Sequence, residues 1–453
     1  MSAPRYVNTI SAQRKSRVQC EAKLEARAGF QALQPGPLIR GVVVDAGRNE
    51  RLDTVYYDTS ELELAKHDAS LRYRKGEGWT LKLLHEIRGQ ALICGEHLVA
   101  GEAGVIPPEI HDLVQAMERR DQLVPVAHLR TRRQRFELLD AAQHRLGGMV
   151  DDKVSVLDGD QTAATFREIE IDWAGAAPED VLGSLVGVLV ERGAVASEPA
   201  PKLIRALGPR AAEVRAAAPI APARSASAAE VAGSLVARSV HELVRHDPGI
   251  RLGLDAEHVH QARVATRRLR SDLRTFRRFF REEWVRTLRE ELKWLGAVLG
   301  SVRDAEVLYQ RLNGRAQTLA DEDRTTAAHL LKRLLDDRDT KRAELLIVLR
   351  SDRYLDLLER LAEAAQQPPL TSTAASTQAS ELAGLVRKPF QKLRSTARAL
   401  SPRSQDPELH ALRIRAKRCR YAAEALATVA GRSARKFAYA CQRLQNVLGE
   451  HQD

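Results

Sequence analysis

The feature of this sequence that most restricts its fold is a near-repeat in its second half. "HQARVATRRLR" runs over 260–270, and "HALRIRAKRCR" runs over 410–420. In both copies the initial histidine is followed by Arg after three residues, by a basic residue after seven and by Arg after ten. "LGSVRD" (299–304) and "LGEHQD" (448–453) then follow at nearly equal separations. Two anchors at matched spacing indicate an internal duplication of one supersecondary unit.

The segment around these copies has the periodicity of helices. From about residue 231 onward, apolar positions recur with a helical period and strand patterns are almost absent. The stretch "AAQQPPLTSTAASTQAS" (364–380) has no apolar stripe, so we expect it to connect repeat one, about 231–363, to repeat two, about 381–453. Because the sequence ends where a last helix of repeat two is expected, the second repeat is predicted to be truncated.

Each copy of the motif places its charged residues on one side of a helix. At 100° per residue, the charged positions of the first copy fall within an arc of about 80°, separate from the apolar positions. The first stripe comprises His260, Arg263, Arg267, Arg270 and Arg274, and the second stripe comprises His410, Arg413, Lys417 and Arg420. We refer to these two sets as the first and second stripes.

The charge of the stripes is one-sided. A solvated helix face, which is the plain alternative, normally mixes acidic and basic residues, but the first stripe has no carboxylate over three turns. The net charge of +11 also lies in this half, since residues 226–453 contain 41 Lys/Arg and 29 Asp/Glu. Guanidinium groups pair with phosphate oxygens in bidentate fashion. The stripes therefore predict a polyanion with many phosphates in a row, while the histidines either contact phosphate or pack against a neighbouring helix.

Composition argues against several other classes of protein. No apolar run approaches the roughly 18–20 residues of a membrane helix, and the N-terminus lacks a signal pattern, so neither a membrane span nor export is expected. The four cysteines have no CxxC pairing, which indicates reduced thiols in the cytosol rather than disulfides or a zinc site. An aromatic content of 4% disfavours a nucleic-acid surface built on base stacking.

The first half has the pattern of strands. Short, partly alternating segments such as "DTVYYDT", "GWTLKLL" and "TFREIEIDW" are interrupted by helical patterns such as "PPEIHDLVQAMER". We predict an α+β domain of mostly antiparallel strands over 1–207. The Ala/Pro/Ser-rich stretch 208–230 is predicted to be a linker.

Several of these strands carry charges of both signs on one face. Glu21 alternates with Lys23, Arg133 with Arg135, and Glu168 with Glu170. Such charges are costly to bury without partners. A water-filled tunnel with carboxylates for a divalent cation and Arg/Lys for phosphates accounts for the pattern, and an open sheet with a wet face is the alternative.

The paired His-x-x-Arg-x-x-x-basic-x-x-Arg helices with a downstream Leu-Gly…Asp resemble the CHAD family over about 230–453. That family is a helical domain of two four-helix bundle repeats that binds inorganic polyphosphate on a positive surface. The resemblance implies that both stripes bind polyphosphate, with Arg274 added on geometry.

"EAKLEA", "VYYDT", "LRYRKGEGWTLKL" and "REIEID" resemble the CYTH family, the triphosphate-tunnel fold, and CYTH followed by CHAD is a familiar pairing. The resemblance implies an α+β antiparallel tunnel-like β-barrel before the all-α domain. The implied phosphate-binding residues are Arg72, Arg74, Lys82, Arg133, Arg135 and Lys202. The implied metal ligands for Mg²⁺ or Mn²⁺ are Glu21, Asp151, Glu168 and Glu170. If the domain is active, the implied catalytic residues are Glu21, Lys23, Glu168 and Glu170.

The sequence departs from the CYTH pattern in two places. The Glu-x-Glu-x-Lys motif appears as Gln19-Cys20-Glu21-Ala22-Lys23, and a basic position of the family appears as Cys94. Since Mg²⁺ relies on a few charged oxygens, Gln19 predicts weak hydrolysis or none.

We therefore expect a cytosolic, bacterial-type protein that binds inorganic polyphosphate, located at polyphosphate granules. The first alternative is a metal-dependent triphosphatase or short-chain polyphosphatase that acts on tripolyphosphate or a nucleoside triphosphate, with the helices recruiting substrate. The second alternative, which the low aromatic content disfavours, is nucleic-acid binding through the same stripes.

Overall fold

The computed structural model divides the chain into two compact units, Met1–Ala218 and Pro219–Asp453. The described residues are 15–27, 29–31, 33–88, 91–173, 179–196, 201–217, 219–401 and 403–450. Within these ranges, no helix has both the length and the apolarity required to cross a membrane.

The first unit is built on an antiparallel barrel. Its strands are β1 (Lys15–Ala26), β2 (Gly36–Ile39), β3 (Val42–Asp58), β4 (Ala69–Arg74), β5 (Gly78–Arg88), β6 (Ala91–Val99), β7 (Val124–Leu139), β8 (Arg145–Asp158), β9 (Gln161–Trp173) and β10 (Ala194–Val195). Eight of these described strands close the barrel in the order β1-β6-β5-β4-β3-β7-β8-β9, and β9 pairs back with β1. Closure leaves β2 and β10 as short additions on β3 and β1. The prediction of an antiparallel tunnel-like barrel is confirmed.

Helices surround this barrel. They are α1 (Glu63–Lys66), α2 (Pro108–Glu118), α3 (Glu179–Glu191), α4 (Lys202–Ala206) and α5 (Ala211–Ala217). Because side chains alternate along a strand, one face of β9 points outward and packs Ile169 and Ile171 against Leu185 and Leu189 of α3. The apolar core of this unit therefore lies outside the barrel wall, which leaves the interior to charged side chains.

The second unit is helical, as predicted. Its helices are α6 (Ala228–Leu252), α7 (Ala256–Thr275), α8 (Glu282–Ala316), α9 (Asp321–Leu349), α10 (Asp352–Gln366), α11 (Ser372–Ser376), α12 (Gly384–Ala399), α13 (Asp406–Ala425) and α14 (Ala427–Glu450). Repeat one packs α6, α7, α8 and α10 around one core, and repeat two packs α12, α13 and α14 around another. The helix α14 is broken at Gly431, whose φ of 67° lies in the left-handed region.

The two copies of the motif occupy equivalent helices, α7 and α13. On α7 the predicted apolar face is buried, including Leu269 and Leu273. On α13 the same is true of Leu412 and Cys419. Since these residues face the core, the stripes face away from it.

Two connecting segments differ from the sequence-based expectation. The predicted linker 208–230 contains a 3-10 turn and α5, because its "AAEVRAA" has strong helix formers and buries Ala211 against the barrel unit. The predicted connection 364–380 contains the end of α10 and the short helix α11.

Candidate functional site

The barrel interior holds a cavity of about 470 Å³. All of the cationic residues predicted to hold phosphate in this domain line it: Arg72, Arg74, Lys82, Arg133, Arg135 and Lys202. The strand register explains this convergence, because directly paired residues share a face and Arg72 pairs with Thr80, two residues before Lys82. Lys202 comes instead from the first turn of α4, just after the extended Pro201.

Lys202 lies at the centre of a cluster of carboxylates. Its Nζ is 2.8 Å from Asp152 Oδ2, 2.8 Å from Glu168 Oε1 and 3.0 Å from Glu170 Oε2. The residue is only 8% exposed. Burial alone lowers the pKa of Lys202, but Glu168, Glu170 and Asp152 outweigh it and raise the pKa. The ammonium is therefore held in its charged form between three acidic groups.

Glu170 has the opposite balance. Burial raises its pKa, but Lys202, Lys23 and Lys82 together hold it well below the usual range of a carboxyl group. The Nζ of Lys23 is 3.4 Å from Glu170 Oε2 and 3.5 Å from Glu21 Oε2. The interior is thus an alternating network in which each charge has a neighbour of opposite sign.

A further group of ion pairs involves Glu21 and Glu96. Lys82 Nζ contacts Glu21 directly and lies 3.5 Å from Glu96 Oε1, which is 3.7 Å from Arg72 Nη2. Burial raises the pKa of the nearby Cys94 thiol to about 12, so this side chain stays a neutral thiol. The side chain of Gln19 lies outside the described part of the structure, although its backbone pairs with Cys94.

The prediction that Asp151 faces the tunnel is wrong. Asp151 Oδ1 and Oδ2 accept hydrogen bonds of 2.8 and 2.6 Å from Arg167, whereas Asp152 accepts 2.8 and 2.7 Å bonds from Arg133. Register fixes this arrangement, since Asp152 pairs with Arg133 on β7 and with Glu168 on β9. Neighbouring residues of a strand point to opposite faces, so Asp152 belongs to the interior and Asp151 to the outer wall.

The two stripes lie beside one another where α7 contacts α13. Arg267 Nε donates a 2.7 Å hydrogen bond to Tyr421 Oη, and Arg268 Nη2 donates a 2.6 Å bond to Glu424. The helix that carries the first stripe is therefore fastened directly to the helix that carries the second stripe.

Lys417 shows how closely the stripes approach. Burial, followed by Arg413, Arg267, Arg420 and Arg263, lowers the pKa of Lys417 to about 8. Two of these arginines belong to the first stripe and two to the second. The stripes therefore share one region of positive potential, which a bound anion would relieve.

The downstream Leu-Gly anchor of each repeat lies beside the first arginine of a stripe. A Cβ added to Gly300 on α8 would lie 3.6 Å from Arg263 Nε, and one added to Gly449 on α14 would lie 2.9 Å from Arg413 Nη2. Arg263 Nη1 also donates a 2.9 Å bond to Asp304, the acidic end of the first anchor. Asp453, its counterpart in the second copy, lies outside the described residues. The matched spacing thus places a glycine under the first arginine of each stripe.

Comparison with known proteins agrees with this geometry. The CYTH domain model matches residues 21–189, and the CHAD domain model matches residues 234–453. A protein known from two strains of Mycobacterium tuberculosis is 30% identical over 461 residues, covering 95% of this chain and 86% of that protein. The chain belongs to the CYTH–CHAD family. The family resemblance inferred from the motifs is confirmed.

Three solved structures are also similar. PptA from Streptomyces chartreusis is 20% identical, with a TM-score of 0.39 over 50% of this chain and 100% of its own. The CHAD domain of Ricinus communis is 25% identical, with a TM-score of 0.43 over 52% of this chain and 78% of its own. A Hippeastrum protein described as an adenylyl cyclase with a dominant triphosphatase activity is 16% identical, with a TM-score of 0.25 over 42% and 96%.

CYTH domains are in general metal-dependent and triphosphatase-like, which directs attention to the carboxylates of the tunnel. The oxygen ligands of Glu21, Glu168 and Glu170 suit Mg²⁺ or Mn²⁺ in kind. Their arrangement does not, since among the described residues no group of three or more acidic, His or Cys side chains is placed to hold a metal ion. Lys202 and Lys23 occupy the space between the carboxylates instead.

Further cations, which the sequence did not predict, lie beside the first stripe. Burial and Arg289 of α8 lower the pKa of Arg270. Burial, Arg418 and Arg289 lower the pKa of Arg274. Arg289 and Arg303 lie on α8, the next helix of the repeat. Only a helix-packing model would have placed them beside the first stripe.

The two histidines differ in their surroundings. His260 is half-buried, and its pKa is lowered by burial and by Arg303, Arg267 and Arg263, against the opposing effect of Glu257. His410 is exposed on α13. These surroundings disfavour the charged form of the His260 ring, and the neutral ring can donate one hydrogen bond.

Proposed function

We propose that this CYTH–CHAD protein binds inorganic polyphosphate through the two stripes, that its tunnel is a secondary phosphate pocket with weak hydrolysis or none, and that it resides at cytoplasmic polyphosphate granules. The observation that carries the proposal is the approach of the two stripes where α7 contacts α13, which brings Arg267 of the first stripe near Lys417 of the second. Such a site gains free energy when an anion enters, because repulsion among fixed cations is replaced by charge-assisted hydrogen bonds.

The form of the surface favours a flexible chain of phosphates over nucleic acid. The stripes present Arg, Lys and His, and Tyr421, whose ring contacts Arg267 and Arg420, is buried. Single-stranded nucleic acid usually gains affinity by stacking bases on exposed aromatic rings. A phosphate chain without bases needs no such rings.

Competition at fixed salt tests this proposal. The full chain, loaded with fluorescent long-chain polyphosphate, is titrated with unlabelled polyphosphate or with DNA of equal phosphate concentration. We expect polyphosphate to compete at a concentration at least tenfold lower than DNA. Equal competition by both polymers would favour the nucleic-acid alternative, since counterion release alone drives non-specific binding.

A metal-dependent triphosphatase remains the second candidate, because Glu168, Glu170 and Asp152 converge beside the cations that line the tunnel. In that case the carboxylates would hold Mg²⁺ or Mn²⁺ after Lys202 is displaced. Phosphate release from tripolyphosphate, measured with each metal, decides between the two. We expect little turnover, and robust turnover that Glu168→Gln abolishes would establish the enzyme instead.

A further inference from the structure

We infer that Tyr421 and Glu424 are positioning residues that join the two stripes into one surface and so favour long polyphosphate chains over short ones. This inference rests on the proposed function. Neither residue belongs to a stripe. Both lie on α13, at the seam where that helix meets α7.

Tyr421 holds one arginine from each stripe. Its hydroxyl accepts the 2.7 Å bond from Arg267 Nε, and its ring lies 4.8 Å from the guanidinium carbon of Arg420. The side chain is only 6% exposed, so this geometry is fixed by packing. Because Arg267 uses Nε for the tyrosine, its two terminal nitrogens are the donors that remain for a ligand. Tyr421 therefore sets the direction in which Arg267 presents its fork.

Glu424 makes the matching electrostatic link. Its Oε2 accepts the 2.6 Å bond from Arg268 on α7, and its Oε1 is 3.3 Å from Arg420 Nε on α13. A carboxylate at this point offsets the repulsion between the two basic helices without lying in either stripe. Cation–carboxylate bonds of this type are shorter and stronger than neutral ones, and they fix orientation.

The buried Asp272 lies beside the same seam, on the core side of α7. It is 4% exposed, and the charges around it are Arg238 of α6, Arg268 of its own helix and Glu424 of α13. Three helices therefore meet at one charged cluster. The position of α13 relative to α7 depends on that cluster as well as on apolar packing.

The consequence concerns the length of the ligand. One stripe, from His260 to Arg274, extends about 21 Å at 1.5 Å per residue. A chain of that length occupies one stripe, whereas a longer chain crosses the seam and contacts Lys417 and the second stripe as well. Once one part of the chain is bound to the first stripe, the rest binds the second stripe intramolecularly. The affinity gained in this way depends on the two stripes being held in a fixed geometry. Tyr421 and Glu424 provide that geometry.

The test measures chain-length preference in the full chain. Affinity is determined for two fractions of inorganic polyphosphate, one just long enough to span a stripe and one several times longer. Each affinity is divided by the number of positions at which a chain of that length can bind. We expect the wild type to prefer the longer fraction. Tyr421→Phe, which removes only the hydroxyl, and Glu424→Gln, which removes only the charge, should each lower that preference about tenfold. Tyr439→Phe, at an exposed tyrosine of α14, is the matched control and should retain the preference.

Each outcome is decisive for one of the two proposals. If the wild type binds neither fraction, the proposed function fails. If the wild type shows the preference and both variants retain it, the positioning role is wrong. A folded variant that loses affinity for both fractions equally also contradicts it, because a seam residue should affect chains that cross the seam more. Circular dichroism of each variant establishes that the helices are intact, and Glu424→Gln provides the answer if Tyr421→Phe does not fold.

Discussion

The tunnel and the stripes both concentrate cationic side chains, but the tunnel surrounds its cations with carboxylates, whereas the stripes pair only some of theirs, such as Arg263 with Asp304. In the tunnel, Lys202 contacts three carboxylates, and Glu170 with Glu21 raises the pKa of the buried Lys23 well above its ordinary value. At the stripes, burial and four arginines lower the pKa of Lys417 to about 8. An anion that enters the tunnel must therefore displace existing ion pairs, whereas an anion at the stripes relieves repulsion. We therefore expect the helices, rather than the tunnel, to provide the main polyanion affinity of the proposed function.

The largest expected effect is on the stability of the tunnel. Lys202→Met leaves the buried Asp152 and Glu168 and the partly buried Glu170 without their shared ammonium, and removing one partner of a buried ion pair typically costs about 3–5 kcal/mol. We expect the thermal transition of the CYTH unit to fall sharply while that of the CHAD unit stays in place, as measured by calorimetry of the full chain. A variant in which the CYTH transition is unchanged would show that Lys202 does not balance the carboxylates.

The next largest effect is a pH dependence of the free energy of unfolding of the helical unit, which arises at the seam between α7 and α13. Burial raises the pKa of Asp272 to about 7, against the lowering effect of Arg238 and Arg268. Between the unfolded pKa of about 3.9 and pH 7, the folded unit holds a proton that the unfolded chain has released, so stability falls as the pH rises. This component reaches about 1.4 kcal/mol per pH unit, and Asp272→Asn should remove it.

Chemical denaturation of the wild type and of Asp272→Asn at a series of pH values between 4.5 and 7.5 measures this component. The free energies of unfolding should diverge steadily up to about pH 7, and the difference between them should level off above it. Parallel profiles would show that the pKa of Asp272 is near its ordinary value, and would contradict the claim that Asp272 makes the stability of the seam depend on pH.

Lys417 should respond in the opposite sense to Lys202. Replacing it with Met removes like-charge repulsion, which is about 0.2–0.5 kcal/mol for each helical pair, so the CHAD unit should gain about 0.5–1 kcal/mol at pH 7. Denaturation of Lys417→Met and Lys202→Met under identical conditions compares the two regions directly. Destabilisation of both units would contradict the claim that their charge balance differs.

The smallest expected signal is proton uptake on binding. A bound anion favours the charged form of Lys417, so above pH 8 polyphosphate should bind with uptake of part of a proton, and affinity should decline as the pH rises. Calorimetric titration in buffers of different ionisation enthalpy measures the uptake. Lys417→Arg, which stays charged, should abolish it, and persistence of the full uptake in that variant would assign the proton elsewhere.

How far the sequence predicted the site depended on whether a feature was local. The stripe faces on α7 and α13 follow from helical periodicity alone, as does the burial of Leu269 and Leu412. Asp151 and Asp152 are adjacent carboxylates, and only the register against Arg133 decides which of them faces inward. No single-chain pattern contains that information.

Contacts between helices could not be predicted from the sequence either. Tyr421 is one residue past the second motif, and nothing within α13 indicates that its hydroxyl meets Arg267 of α7. Arg289 was overlooked for the same reason, since it approaches the first stripe only through the packing of α8 on α7. Long-range packing, rather than propensity, determines these placements.

The salt dependence of polyphosphate affinity tests the central claim most directly. It should be measured for the full chain, for Arg263→Ala/Arg413→Ala in the stripes, for Arg72→Gln/Lys82→Gln in the tunnel, and for Arg311→Ala/Arg333→Ala as a control of equal charge change on exposed residues. We predict that the stripe variant loses about two units of the logarithmic salt slope and about a hundredfold in affinity, while the tunnel and control variants keep the wild-type slope. A tunnel variant that loses the slope while the stripe variant keeps it would contradict the account.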